Sequence, residues 1–186
     1  MMFQATLNNI ELTFETSKEL FSPKAIDLGT EVMLSKVEFT AADKVLDLGC
    51  GYGVVGILAA KLIGPERVVM VDINAEAVKI AKQNAELNQV SEVSIMESDG
   101  LTKIVDFGFT LILSNPPYHV DFSVPKHFIE KGFNHLKIGG KLFMVTKRKD
   151  WYKNKLISVF GGVKIWEEEG YFVFMAQKTQ SSYFKK

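Results

Sequence analysis

Two short stretches of this 186-residue sequence hold residue types that do chemistry. The first is Asn115-Pro116-Pro117-Tyr118, followed by His119, which stands directly after the strand-like run "TLILS". Each proline restricts the residue before it to extended backbone and donates no hydrogen bond, so the corner is stiff and can continue neither as helix nor as strand. Its fixed acceptors are the Asn115 side-chain oxygen and the Pro116 carbonyl. Two acceptors at fixed spacing suit an amine on a planar group, a poor nucleophile because its lone pair is delocalised. They grip its two N–H bonds and stabilise the positive charge that develops as the nitrogen attacks. Tyr118 supplies a ring to stack on that plane and exclude water, and His119 could hydrogen-bond the substrate or orient the loop.

The second stretch is "LDLGCGYGVVGI", residues 46–57. Gly51-x-Gly53-x-x-Gly56 satisfies the dinucleotide fingerprint literally, and Asp72, at the end of the next strand-like run, could hold a pair of ribose hydroxyls. An NAD-binding oxidoreductase would use the same pattern. Glycines permit a tight turn and a close backbone approach, and the following helix offers its positive end, which suits a pyrophosphate and a carboxylate equally. Asp47 opposes a pyrophosphate yet attracts an ammonium group, which favours a nucleotide that bears an amino acid. Asp47, Gly49, Gly51 and Gly53 also fit the register Asp-x-Gly-x-Gly-x-Gly. Cys50 reads as a small loop residue whose backbone matters, since nothing near it in sequence would activate a thiol.

These residues need a scaffold. From residue 44, β-rich runs (44–49, 68–73, 93–98, 110–114 and 141–146) alternate with helix-period segments. These include 54–63, stopped by Gly64 and Pro65, one capped by Asn74, and one with Phe128, Ile129, Phe133 and Leu136 on a single face. Alternation of this kind predicts parallel pairing with right-handed crossovers: an α/β, open doubly wound, Rossmann-like sheet of seven strands. Five would be parallel. "GVKIWEE" and "GYFVFMAQK" leave too little chain between them for a crossover and predict a closing antiparallel hairpin around Glu168, Glu169 and Gly170. The first 40 residues read as an extension made of a hairpin turning at Asn8-Asn9 and a helix from about Thr30 to Val37. Residues 41–178 form the core of one domain. Asn115 then stands beside the first parallel strand, where the strand order reverses and a crevice opens.

Composition narrows the classes. An apolar fraction of 47% fits a globular chain, and no run approaches the roughly 20 apolar residues of a membrane span. A single cysteine, Cys50, excludes a disulfide framework and a cysteine metal cluster; no metal is expected, and a cytoplasmic protein is the simplest reading. His127 and His135 share a helix face with Lys131 and read as solvated surface, and the Lys185-Lys186 tail is expected to fray. The net charge of zero hides a division: residues 1–105 hold 9 Lys/Arg against 15 Asp/Glu, and the rest hold 13 against 7. The basic half contains "TKRKDWYKNK" (146–155). Lys147, Arg148 and Lys149 beside Trp151 and Tyr152 read either as phosphate contacts with stacking rings or as a solvated helix start with its aromatics tucked inward.

With its glycine register and Asn-Pro-Pro-Tyr, the chain resembles the S-adenosylmethionine-dependent methyltransferases from about residue 20 to 178. The resemblance implies that Gly49, Cys50, Gly51 and Gly53 contact the methionine end, that Asp72 with Ile73 takes the ribose side, and that Ser98, Asp99 and Gly100 flank the adenine. The tetrapeptide marks methyltransferases of planar nitrogens. "FSPKAIDLGTEVML" (21–34) together with "NPPYH" is similar to the small methyltransferase domain of the bacterial small-subunit rRNA guanine-N2 methyltransferases. There Phe21 approaches the active site from above and the Gly29-Thr30 helix start lies near the cofactor. The longer enzymes of that group carry a second, degenerate copy of the domain, whereas this chain has only the active type. The expected activity is methyl transfer to guanine N2 of ribosomal RNA. Adenine in DNA and the glutamine amide of release factors rank behind it, because the chain has no room for a target-recognition domain and lacks the usual N-terminal recognition domain. A non-catalytic RNA-binding module would not need the intact loop and tetrapeptide.

Overall fold

The computed structural model describes residues 1–20 and 24–185. Asn8 and Asn9 both take positive φ, 50° and 62°, and close a two-residue turn between β1 (Met2–Leu7) and β2 (Ile10–Glu15), with Leu7 opposite Ile10. Helix α1 (Leu28–Leu34) follows. It starts two residues before the expected Thr30 because Asp27 caps it, its carboxylate accepting from the Thr30 N–H at 3.0 Å. Beyond Leu34 the turn tightens, with Lys36 and Val37 bonding three residues back rather than four.

The sheet is built from β3 (Val45–Leu48), β4 (Val68–Asp72), β5 (Ser94–Glu97), β6 (Phe109–Ser114), β7 (Leu136–Thr146), β8 (Lys164–Glu168) and β9 (Tyr171–Gln177). Their order is β5-β4-β3-β6-β7-β9-β8; the first five are parallel, and β9 runs antiparallel to both β7 and β8. This is the predicted open α/β sheet with its closing hairpin, turned at Glu169 and Gly170, which both have positive φ. The order reverses between β3 and β6, so their carboxyl ends border a crevice.

Alternation along the strands feeds two cores. Val45, Leu113, Phe143 and Val173 face α1, α2 (Val54–Ile63), α3 (Ala75–Leu87) and the β1-β2 hairpin. Leu46, Ile112, Met144 and Phe174 face α4 (Ser123–His135) and α5 (Asp150–Phe160). The hairpin is tied on by amides: buried Asn84 accepts from Glu15 N–H at 2.7 Å and donates to the Glu15 and Tyr52 carbonyls, and Asn88 bonds both backbone groups of Thr13. Phe3 and Phe14 then pack against the Tyr52 ring.

Three expectations fail. Leu136 is not on the α4 face but opens β7, which begins five residues earlier than expected, with Gly139 and Gly140 inside it. A register shift between Phe109 and Leu111 accommodates the extra residues, and Gly140 fits there because a Cβ would stand 2.8 Å from the Phe109 carbonyl. His127 and His135 are not solvated surface. His127 Nε2 accepts from the Leu101 N–H at 3.1 Å, and burial lowers its pKa. Buried His135 stacks on Phe107 and bonds the Asp106 carbonyl through Nδ1. The tail does not fray at Lys185, since Phe184 and Lys185 donate backbone bonds to Val159 and Ser158.

Candidate active site

Asp47, near the end of β3, points to the α2 side of the sheet, where its carboxylate accepts from the Gly56 N–H at 2.8 Å. It is 3% exposed, and burial, against the pull of that hydrogen bond, pushes its pKa up to about 7. The loop that follows needs glycine: Gly49, Gly51 and Gly53 have φ of 75°, 55° and 106°. Gly56 is required for a different reason, because a Cβ there would stand 2.5 Å from the Met70 sulfur on β4. Cys50 is buried, and burial together with the Asp47 and Asp72 carboxylates pushes its thiol well up, which disfavours the thiolate. Asp72 pins the loop from the next strand, accepting from Gly51 N–H at 2.8 Å and from Asn74 N–H at 2.9 Å. Asn74, not Asp72, caps α3.

On the other side of the crevice β6 ends at Ser114, whose hydroxyl donates to the Leu48 carbonyl at 2.8 Å and ties the two strand ends together. The Asn115 amide nitrogen donates both its hydrogens, to Asp27 Oδ2 at 2.8 Å and to Thr30 Oγ1 at 3.0 Å. A cavity of about 320 Å³ lies between these walls. It is lined by Asp47, Gly49, Cys50, Gly51, Tyr52, Asp72, Ile73, Asp27, Thr30, Asn115, Pro116 and Pro117 among others. Ile73, large, apolar and 66% exposed, sits on its rim.

The two stretches singled out in the sequence therefore share one cavity. Not every expected residue lines it. Gly53 stands behind the loop at the start of α2. Ser98, Asp99 and Gly100 follow β5 beside Asp72, with Ser98 buried and bonded to the Gly100 carbonyl. Tyr118 is half-buried at the corner with its hydroxyl buried against Tyr171, which raises its pKa. His119 is exposed, its ring 6.5 Å from that of Tyr118. Phe21 lies outside the described residues.

The basic stretch lies beside the corner because β7 runs parallel to β6 and ends level with it. The Lys147 ammonium stands 5.6 Å from the Tyr118 ring centre and 5.0 Å from that of Tyr171. Arg148 donates to the Tyr118 carbonyl at 3.2 Å and covers the Phe122 ring, while Lys149 lies over Phe172. The aromatics divide: Tyr152 is buried, and half-buried Trp151 stacks on Phe122 with 4.6 Å between ring centres. Among the described residues no group of three or more His, Cys, Asp or Glu could hold a metal, and no helix is long and apolar enough to cross a membrane.

Sequence reasoning missed Glu19, Leu20, Tyr52, Val54, Val55, Asn74 and Ala77 as cavity residues and noted Asp27 only within a motif. The signal for Asp27 was present, as a carboxylate three residues before Thr30 at a helix start.

The charge and geometry of the cavity fit S-adenosylmethionine: a buried carboxylate, Asp47, a loop of close-approach glycines, a second carboxylate, Asp72, and the exposed apolar Ile73 line it together. The family model of the methyltransferase small domain matches residues 11–176. The chain is 33% identical over 179 residues to the uncharacterized protein YbxB of Bacillus subtilis, covering 92% of this chain and 89% of that one. To ribosomal RNA small subunit methyltransferase C of Psychromonas ingrahamii it is 33% identical, over 96% of this chain and 52% of that one. A T. thermophilus 16S rRNA N2 methyltransferase, in complex with AdoMet and guanosine, superposes with a TM-score of 0.84 at 25% identity, over 96% of this chain and 50% of that one. The chain thus spans about half the length of the named rRNA methyltransferases it matches. It belongs to the methyltransferase small domain family.

Proposed function

We propose that this methyltransferase uses S-adenosylmethionine to methylate the exocyclic N2 amine of a guanine in small-subunit ribosomal RNA. The observation that carries the reading is that Asn115, Pro116 and Pro117 line the same cavity as Gly49, Gly51 and Asp72. When bound, the cofactor supplies an electrophilic sulfonium methyl. Asn115 Oδ1 and the Pro116 carbonyl accept the two N–H bonds of the guanine amine, which favours the lone pair over its delocalised form and stabilises the charge that develops on nitrogen. No strong base is needed before attack, because the nitrogen gives up its proton to solvent only after the N–C bond has formed and the methyl–sulfur bond has broken, the electron pair staying on sulfur. Tyr118 stacks on the base, and Ser114, bonded across to β3, keeps the two walls in register.

Asp47 takes the ammonium of the methionine moiety, with Thr30, Gly49, Cys50 and Gly51 around that end and Gly53 shaping the loop from behind. Asp72 and Ile73 hold ribose and base, and Ser98, Asp99 and Gly100 border the adenine. Lys147, Arg148 and Lys149 take RNA phosphates, and His119 approaches the target. Residues 41–178 act as the cofactor-binding core and residues 1–40 as an extension over it, in a cytoplasmic protein. Methyltransferases of the large as well as the small subunit are among the similar proteins, so the test separates the subunits. Purified protein with labelled cofactor is offered each subunit and its free RNA, and the nucleosides are resolved by mass spectrometry. N2-methylguanosine in small-subunit RNA is expected. Label in another nucleoside, in large-subunit RNA alone or in none overturns the assignment.

A further inference from the structure

Asn115 can offer an oxygen to the substrate only if its amide is held the right way round, and the structure contains a device for that. The carboxylate oxygen Oδ2 of Asp27 receives the Asn115 Nδ2 at 2.8 Å and the Thr30 backbone N–H at 3.0 Å, and Thr30 Oγ1 takes the second Asn115 hydrogen at 3.0 Å. With the amide flipped, its oxygen would face a carboxylate and two acceptors would meet without a proton between them. Space is reserved for the device: a Cβ on Gly29 would stand 2.9 Å from Asp27 Oδ2 and 2.7 Å from the Tyr171 ring. A side chain there would push the carboxylate off Asn115.

We propose that Asp27 is a positioning residue that acts through Asn115, fixing the amide with Oδ1 toward the amine to be methylated. A bond from the amide N–H to an anion also draws electron density onto the amide oxygen and makes it a better acceptor. The alternative is a plain helix cap. The catalytic consequence rests on the methyl-transfer reading; the orientation of the amide does not.

The two are tested separately. In the full chain labelled with nitrogen-15, the Asn115 side-chain NH2 pair is identified by its loss in Asn115→Ala. Asp27→Ser keeps a capping oxygen but is too short to reach Asn115. The pair should shift toward the free-amide position and exchange faster with water in Asp27→Ser, and stay near its place in Asp27→Asn, whose carbonyl can accept both bonds. In methyl transfer, Asp27→Ser should lower kcat by about 10- to 100-fold, as misplacing a catalytic group does, with the cofactor Kd nearly unchanged. Asp27→Asn should recover most of that loss. Asn115→Asp sets one carboxylate against another and should be inactive, whereas Asp27→Asn with Asn115→Asp puts an amide N–H opposite the new carboxylate while giving up the bond that the same Asp27 oxygen takes from the Thr30 N–H, and should regain part of the activity. That exchange decides the matter if Asp27→Ser does not fold. An unmoved NH2 pair in Asp27→Ser, equal kcat in Asp27→Ser and wild type, or no recovery in the exchanged pair would overturn the role. Absence of methyl transfer by the wild-type protein would instead overturn the functional reading and leave the spectra to judge the orientation.

Discussion

The two walls of the cavity are held by different physics. The β3-α2 wall is made by backbone: glycines at positive φ, N–H groups received by Asp47 and Asp72, and Gly56 lying flat on Met70. The wall at Asn115 is made by side chains, through a hydrogen-bonded cluster whose members Asp27 and Asn115 are 88 residues apart. The first wall has its course set by many backbone bonds and by glycines that a side chain would strain or displace. The second has a single amide at its centre, and its precision depends on few contacts. Binding is therefore expected to fail at the glycine wall and chemistry at the other.

The largest effect should come from Asn115→Ala, with kcat reduced by about 100- to 1,000-fold, the scale for removing one group that stabilises transition-state charge. Calorimetric cofactor affinity should remain within a few-fold of wild type, and full activity would break the distinction between the walls. The glycine wall is probed by two substitutions that ought to differ. Gly56→Ala drives a methyl into Met70 and should destabilise by about 1–3 kcal/mol, lowering Tm by roughly 2–4 °C for each kcal/mol. Gly51→Ala meets nothing within 4 Å, so only its positive φ is strained, at about 1–2 kcal/mol, while the methyl enters the cavity. For Gly51→Ala, cofactor affinity should fall more than stability does.

The same contrast explains what could be read from the sequence. The glycine loop was legible because its determinants lie within ten residues and their spacing maps directly onto a turn and a helix start. The strand alternation and the closing hairpin were legible because connection length fixes the direction of pairing. The Asn115 corner was recognisable as stiff, but how its amide is turned depends on Asp27, and no local pattern joins the two. His135 failed for a related reason: its helical face shared Lys131, while the Phe107 and Asp106 that cover it belong to the loop before β6. Leu136 kept the helical period by coincidence. The chain turns into β7 there, and buried Lys178 donates its ammonium hydrogens to the Phe133 and Leu136 carbonyls at the helix end.

The glycine wall also carries a pH signature. Asp47, with its pKa at about 7, is half-protonated near neutrality in the free protein. From its ordinary value of 3.8 up to about 7 the folded chain holds a proton that the unfolded chain has lost, so this group's contribution to stability falls as pH rises through that window. An ammonium ligand needs the ionised form. Cofactor affinity should therefore rise with pH, being about tenfold weaker at pH 6 than at pH 8, with proton release on binding near pH 6. Asp47→Asn should remove the slope. Calorimetry in buffers of different ionisation enthalpy reads both quantities, and a flat profile in the wild type would assign the ammonium to another group.

The smallest effects are expected where the second wall meets the basic stretch, and they separate charge from position. Each of Lys147, Arg148 and Lys149 that contacts a phosphate should reduce the slope of log affinity against log salt by about 1 when replaced by alanine. Arg148 has a further task, because its guanidinium holds the Tyr118 carbonyl at 3.2 Å and covers Phe122. Lys149 lies over Phe172 instead. Arg148→Ala should therefore lower kcat at saturating RNA as well as affinity, whereas Lys149→Ala should lower affinity alone. Equal kcat values in the two variants would mean that the corner is stiff through its prolines without help from β7. The side-chain wall would then reduce to the cluster around Asn115, independent of the basic stretch.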